Sequence, residues 1–173
     1  MGRVRQEHAA DGTLIREWSV LIYADGRELK HGALREWYPD SCLRAERRFV
    51  DDQPAGRWRA WHPSGTLKSD YTYSALVEST PMRFYHEDGK LRADGFALRA
   101  VREGEWSFWY EDGTLEKRGP YLKGRREGEW TYWWPSGALK ERGSFATDRR
   151  VGEWERWFEP PSEESLDRLL EDQ

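Results

Sequence analysis

Residues 104–115, "GEWSFWYEDGTL", return 24 residues later as "GEWTYWWPSGAL" at 128–139. Counting Gly104 as slot zero, the same slot at 24-residue steps holds Gly32, Gly56, Thr80, Gly104, Gly128 and Gly152. Slot two holds Leu34, Trp58, Met82, Trp106, Trp130 and Trp154, and slot five Trp37, Trp61, Tyr85, Trp109, Trp133 and Trp157. Slot eleven is leucine in the first five units: Leu43, Leu67, Leu91, Leu115 and Leu139. No insertion interrupts the period from Gly32 to Phe158. A chain so written must stack one small unit on the next, with stability drawn from neighbouring units.

Each unit reads as a β-hairpin. Slots two, four and six alternate with polar neighbours in "EWSFWY", the period of a strand. Asp112-Gly113, Asp88-Gly89, Ser64-Gly65 and Ser136-Gly137 follow, and such pairs favour a two-residue primed turn. That turn sets Tyr110 beside Leu115, Phe108 beside Lys117 and Trp106 beside Gly119. Gly95, Gly119 and Gly143 share the last slot, where a missing Cβ leaves room for an indole to lie flat on the backbone. Strict alternation puts the slot-five tryptophans on the opposite face. Either both faces carry rings, or a bulge re-aims one ring per unit. Short polar connections such as "LKGRREG" at 122–128 return the chain antiparallel, a meander.

The expected fold is therefore all-β: an elongated antiparallel meander of tandem 24-residue hairpins over residues 32–158, about 60 Å long. Residues 1–31 form an irregular partial repeat, in which "DGTL" at 11–14 matches the turn slots and Asp25-Gly26 turns within an insertion. Residues 159–173 predict a short capping helix, with glutamates at its start and Leu166, Leu169 and Leu170 on one face.

Composition narrows the function classes. A hydrophobic fraction of 37% beside 35% charged residues is too polar for a thick core, yet 11 Trp and 14% aromatics are too many for a disordered chain. A net charge of -4 argues against a general nucleic-acid binder. A lone Cys42 permits no internal disulfide. The N-terminus has no apolar signal core and no apolar run is long enough to span a bilayer, so a soluble, cytoplasmic protein is expected.

No catalytic or metal site is expected. His62 and His86 share slot six with Tyr and Trp, so a flat ring filling a ladder position accounts for them better than zinc does. Glu105, Glu129 and Glu153 form a solvated row without the unequal surroundings that acid–base pairs need. No cofactor-binding motif is present. The more telling residues are Arg102, Arg125, Arg126, Arg149 and Arg150, which recur in the connections and line one edge, with Glu103, Glu127 and Glu153 as ion-pair partners.

The registers resemble the MORN-repeat-variant family, whose motif is close to G-x-W-x-x-Y-Y-x-x-G-x-L. It appears here as "GRWRAWHPSGTL", "TPMRFYHEDGKL", "GEWSFWYEDGTL" and "GEWTYWWPSGAL", with a partial "GEWERWF". Leu34, Thr80, Met82 and Ser41 depart from it, so the first and third units are the ones expected to differ in geometry. The resemblance implies a β meander used as a binding surface, in some bacterial members as an antitoxin or immunity component, and carries over no catalytic residue. The expected function is non-enzymatic recognition of a protein partner, anchored by Trp109, Tyr110, Trp133 and Trp134 and steered by the arginine edge. The alternatives are attachment to anionic lipid and a self-associating scaffold.

Overall fold

In a computed structural model, described for residues 1–74 and 79–160, the chain is one sheet of 14 antiparallel strands. They are β1 (Gly2–His8), β2 (Leu14–Ile22), β3 (Glu28–Trp37), β4 (Leu43–Val50), β5 (Gln53–Trp61), β6 (Leu67–Tyr73) and β7 (Thr80–Tyr85). Then come β8 (Leu91–Leu98), β9 (Val101–Trp109), β10 (Leu115–Leu122), β11 (Arg125–Arg126), β12 (Gly128–Trp133), β13 (Leu139–Ala146) and β14 (Arg149–Arg156). Every strand pairs with its sequence neighbour, except that β10 pairs with both the two-residue β11 and β12. The described residues contain no helix, and so none long and apolar enough to cross a membrane. The expected capping helix lies outside them. Residues 1–31 supply two full strands, and Gly26 turns at a φ of 84° between β2 and β3.

The two kinds of turn are exchanged relative to the sequence expectation. At the Asp-Gly sites only glycine takes a positive φ, as at Gly113 (95°). Tyr110 N–H donates to Thr114 O and Gly113 N–H to Tyr110 O, a type I turn closed by a left-handed glycine. The loop is one residue longer than a primed turn, so Trp109, not Tyr110, pairs with Leu115. The extra residue is absorbed as a bulge at slot twelve, and Phe108 still pairs with Lys117 and Trp106 with Gly119. The same shift falls at Arg44, Lys68, Arg92 and Lys140. The primed two-residue turns sit instead between hairpins, at Asp51-Asp52, Arg99-Ala100, Lys123-Gly124 and Thr147-Asp148, where both residues have positive φ.

The core is a single line of rings on one face. Trp106 and Trp130 are fully buried although no second layer covers them. Each indole leans back over a glycine of the preceding hairpin: Trp106 over Gly95, Trp130 over Gly119 and Trp154 over Gly143. The ring on Gly119 thus comes from the next hairpin, not from its paired Trp106. The indole N–H of Trp106 donates to Phe96 O at 2.8 Å, and that of Trp130 to Pro120 O at 3.0 Å. Phe108 stacks on Trp106 at 6.0 Å, and Tyr121 stands edge-on to Trp130 at 5.2 Å. Leu34 and Met82 fill the tryptophan slot in the first and third units and are buried. Thr80 replaces the slot-zero glycine without its positive φ, whereas Ser41 keeps the turn glycine's left-handed conformation at a φ of 68°.

Both faces carry rings. The slot-five tryptophans lie opposite the core line, among ion pairs. Trp61 sits under Arg59 at 5.3 Å and Trp157 under Arg142 at 6.0 Å. Arg59 also pairs with Glu46, Arg57 with Asp70 and Arg142 with Glu155. This face is a ladder of charge, the other a ladder of rings.

Candidate functional site

Slot six ends each hairpin on the ring face, and its polar atom always does the same thing. Tyr38 Oη donates to Trp61 O at 2.9 Å and Tyr110 Oη to Trp133 O at 2.9 Å. His62 Nε2 bonds Tyr85 O at 3.1 Å and His86 Nε2 bonds Trp109 O at 2.8 Å. Trp134 Nε1 reaches Trp157 O at 3.4 Å. Tyrosine, histidine and tryptophan are interchangeable here because each is a flat ring with a donor at its far end. Since a carbonyl only accepts, His62 and His86 carry a proton on Nε2. Among the described residues, no group of three His, Cys, Asp or Glu stands close enough to hold a metal ion. Cys42 is exposed, and the Asp40 carboxylate beside it pushes its thiol above the ordinary value, away from the nucleophilic thiolate.

At the opposite edge the primed turns are tied to the preceding hairpin. Gly124 N–H donates to Arg102 O and Asp148 N–H to Arg126 O. Lys123 N–H donates to Glu103 Oε2 and Thr147 N–H to Glu127 Oε2, each at 2.8 Å. Glu103 and Glu127 therefore bind backbone. The ion pairs of the sequence-predicted arginines run elsewhere, from Arg126 to Asp148 and from Arg150 to Glu141.

The structure divides the predicted anchors. Trp109 and Tyr110 are consecutive in an extended segment and point to opposite faces, as do Trp133 and Trp134. Tyr110 and Trp134 stand on the ring face, half-buried and engaged in the slot-six bonds. Trp109 and Trp133 belong to the charge face. The arginines divide too. Arg102 covers Trp106 at 4.8 Å, Phe108 at 5.4 Å and Tyr121 at 5.2 Å, and donates to Tyr121 Oη. Arg126 covers Phe145 at 4.0 Å and Arg150 covers Trp154 at 3.9 Å. Arg125 and Arg149 are exposed at the turn edge.

One cleft opens on the ring face. Ala93 lies between Phe84 and Phe108 in the cross-strand row, and its small side chain leaves a cavity of about 500 Å³ walled by His86, Arg102 and Tyr110. A second hollow of about 250 Å³ shares Phe84 and Arg92 with it and reaches Tyr38 across Ala45, Ala60 and Ser69. Sequence reading missed this channel. Its signal was the run of Ala and Ser in slots that elsewhere hold Phe, Tyr, Lys or Glu.

Residues 55–75, 102–123 and 126–146 match the model of the MORN repeat variant. The matched segments begin close to the slot-zero glycines and end just past slot seventeen, so a MORN unit and a hairpin of the sheet coincide. No curated protein matches the chain. Among solved structures, the chain is similar to a crystal structure of TarM at 12% identity and a TM-score of 0.37, covering 56% of this chain and 19% of that one. It is also similar to an S. aureus TarM point mutant in complex with Fondaparinux, alpha-GlcNAc-glycerol and UDP. There the identity is 11% and the TM-score 0.37, with 55% of this chain and 19% of that one covered. The chain thus spans about a fifth of the length of these TarM chains.

Proposed function

We propose that the chain is a non-catalytic protein-binding module whose partner lies across the hairpin ends of the ring face. The cleft between the third and fourth hairpins carries this reading, because Phe84 and Phe108 flank an opening of about 500 Å³ there. Aromatic and arginine side chains around a hollow are the usual anchors of protein interfaces. Tyr110 and Trp134 are the anchors on this side, with Arg102 at the cleft wall. Immunity toward a toxic partner is a specific version, tested by whether co-expression of the chain protects cells from the product of a neighbouring gene.

The division of predicted anchors between faces supplies the test. Affinity capture with the wild-type chain is compared with Tyr110→Ala and Trp134→Ala on one face and Trp109→Ala and Trp133→Ala on the other. Loss of the captured partner only in the first pair, with the thermal midpoint recorded for each, supports the ring face. Loss only in the second pair moves the interface to the charge face.

A second reading, attachment to anionic lipid, has its own observation. Leu98, Val101 and Leu122 are 40%, 45% and 50% exposed at successive primed turns, beside Arg99, Lys123 and Arg125. Aliphatic side chains alternating with cations along one edge suit the boundary of a bilayer. Co-flotation with phosphatidylserine vesicles at low salt, abolished by Leu98→Ser with Leu122→Ser, is its expected result.

A further inference from the structure

The slot-twelve bulge puts Arg44, Lys68 and Arg92 on the ring face, in three successive hairpins. All three are exposed, and no carboxylate among the described residues pairs with any of them. Arg44 rests over the Tyr38 ring at 5.9 Å. Other cations of the sheet are matched to carboxylates. Nearby Arg47 pairs with Glu36 at 2.9 Å and Lys117 with Glu116 at 2.9 Å. Glu116 holds slot twelve in the fourth hairpin, so the run of free cations ends there. Beside the run lies the channel floored by Ala45, Ala60, Ser69 and Ala93.

The spacing of the cations selects the shape of what neutralises them. Each is two strands from the next, about 9.6 Å at the usual strand separation. A polyproline II helix has three residues per turn and rises about 3.1 Å per residue, so every third side chain falls on one side at about 9.3 Å. An extended β-strand repeats its sides at about 6.8 Å and drops out of step after one interval. Flat rings at Tyr38 and His86 border the same channel, and aromatic-lined grooves receive proline rings well.

We infer that the channel binds an acidic, proline-rich segment in the polyproline II conformation, with carboxylates at every third position meeting Arg44, Lys68 and Arg92. This rests on the reading of the ring face as the docking surface, and gives its partner a chemistry. Three carboxylates at positions i, i+3 and i+6 span the run.

The test uses fluorescein-labelled peptides of glutamate and proline and the whole chain, read by fluorescence anisotropy at low salt. The peptide with glutamate at every third position is expected to bind about tenfold more tightly than an isomer with glutamate at every second position, and a glutamine version not at all. Arg44→Ser, Lys68→Ser and Arg92→Ser together are expected to weaken binding about tenfold or more while the chain stays folded, because none of the three makes an ion pair in the fold and only Arg44 rests on a ring. Equal affinity for the two glutamate spacings, or unchanged binding by the triple variant, overturns the inference. Flotation on phosphatidylserine vesicles that is lost in the same triple variant overturns it too, by assigning the cations to a membrane. If the peptides fail while a captured partner is still lost in Tyr110→Ala, the docking face stands and the carboxylate spacing falls.

Discussion

The indole of Trp130 occupies the space where a Cβ on Gly119 would stand, so the two residues define one packing unit across β10 and β12. The indole N–H reaches Pro120 O at 3.0 Å, the carbonyl next to that glycine. Flat stacking and hydrogen bond need each other, since a ring lifted off the glycine loses both. Gly119→Ala is expected to cost about 2 to 3 kcal/mol by overpacking. Urea unfolding checks the magnitude, and a red shift of tryptophan emission in the folded state checks the displaced ring.

Ser41 holds the left-handed turn position that glycine fills in the other hairpins. A side chain there is strained, while glycine is not. Ser41→Gly is expected to raise stability by about 1 kcal/mol, and Gly113→Ser to lower it by a similar amount. Differential scanning of the two variants against wild type gives the comparison.

Tyr110 binds Trp133 O through its hydroxyl alone, so Tyr110→Phe isolates that bond. About 1 kcal/mol of stability is expected to be lost, and the ring remains for any partner. Capture of a partner by this variant, beside its loss in Tyr110→Ala, separates the two uses of the side chain.

Two neighbouring arginines are expected to differ sharply. Arg102 covers three rings, and Arg102→Ala is expected to cost about 1 to 2 kcal/mol through lost cation–ring contact and packing. Arg125 is exposed at the turn, and Arg125→Ala is expected to stay within about 0.5 kcal/mol of wild type. Chemical denaturation of both variants under one buffer decides it.

Acid should loosen the turns first. The carboxyls of Asp11, Asp25, Asp88 and Asp112 are held below the usual range, chiefly by the backbone N–H two residues on. Glu46 and Asp70 are lowered chiefly by hydrogen bonds from Arg59 and Arg57. A carboxyl lowered in the folded state stabilises fully above its unfolded value, about 3.9 to 4.3, and that stabilisation is lost as pH falls through the folded value. The thermal midpoint is therefore expected to be flat from about pH 7 to pH 5 on account of these groups and to fall below about pH 4. A titration of the midpoint that instead rises below pH 4 contradicts it.

The period, the hairpins and the antiparallel order were legible because one slot pattern repeats without a gap. The glycine beneath the indole was legible too, since only the missing Cβ explains Gly95, Gly119 and Gly143. Which indole covers which glycine was not, because each of these glycines faces one slot-two residue in its own hairpin and another across the next strand, as Gly95 faces Met82 and Trp106. The turn at Asp112-Gly113 misled because the same dipeptide serves a primed turn and a type I turn with a left-handed glycine, and the strand lengths decide between them. Conversely, Arg99-Ala100 takes a primed turn without any local signal, held there by the strands on either side. The proposed anchors Trp109 and Tyr110 read as one patch in a linear text, yet alternation sends them to different faces. The free cations at slot twelve became visible only with the carboxylate partners of the other arginines in place.

The slot-six bond makes the array countable. Each ring reaches a carbonyl 23 residues further on, so a hairpin is complete only when its successor is in phase. Excising residues 104–127 would splice Glu103 to Gly128 and bring His86 to Trp133 O and Trp130 onto Gly95, a body shorter by about 10 Å with its joints intact. Removing half as many residues would offer His86 a mismatched strand. Such a molecule changes size only in whole steps, which makes it a ruler whose graduations are set by two strand widths.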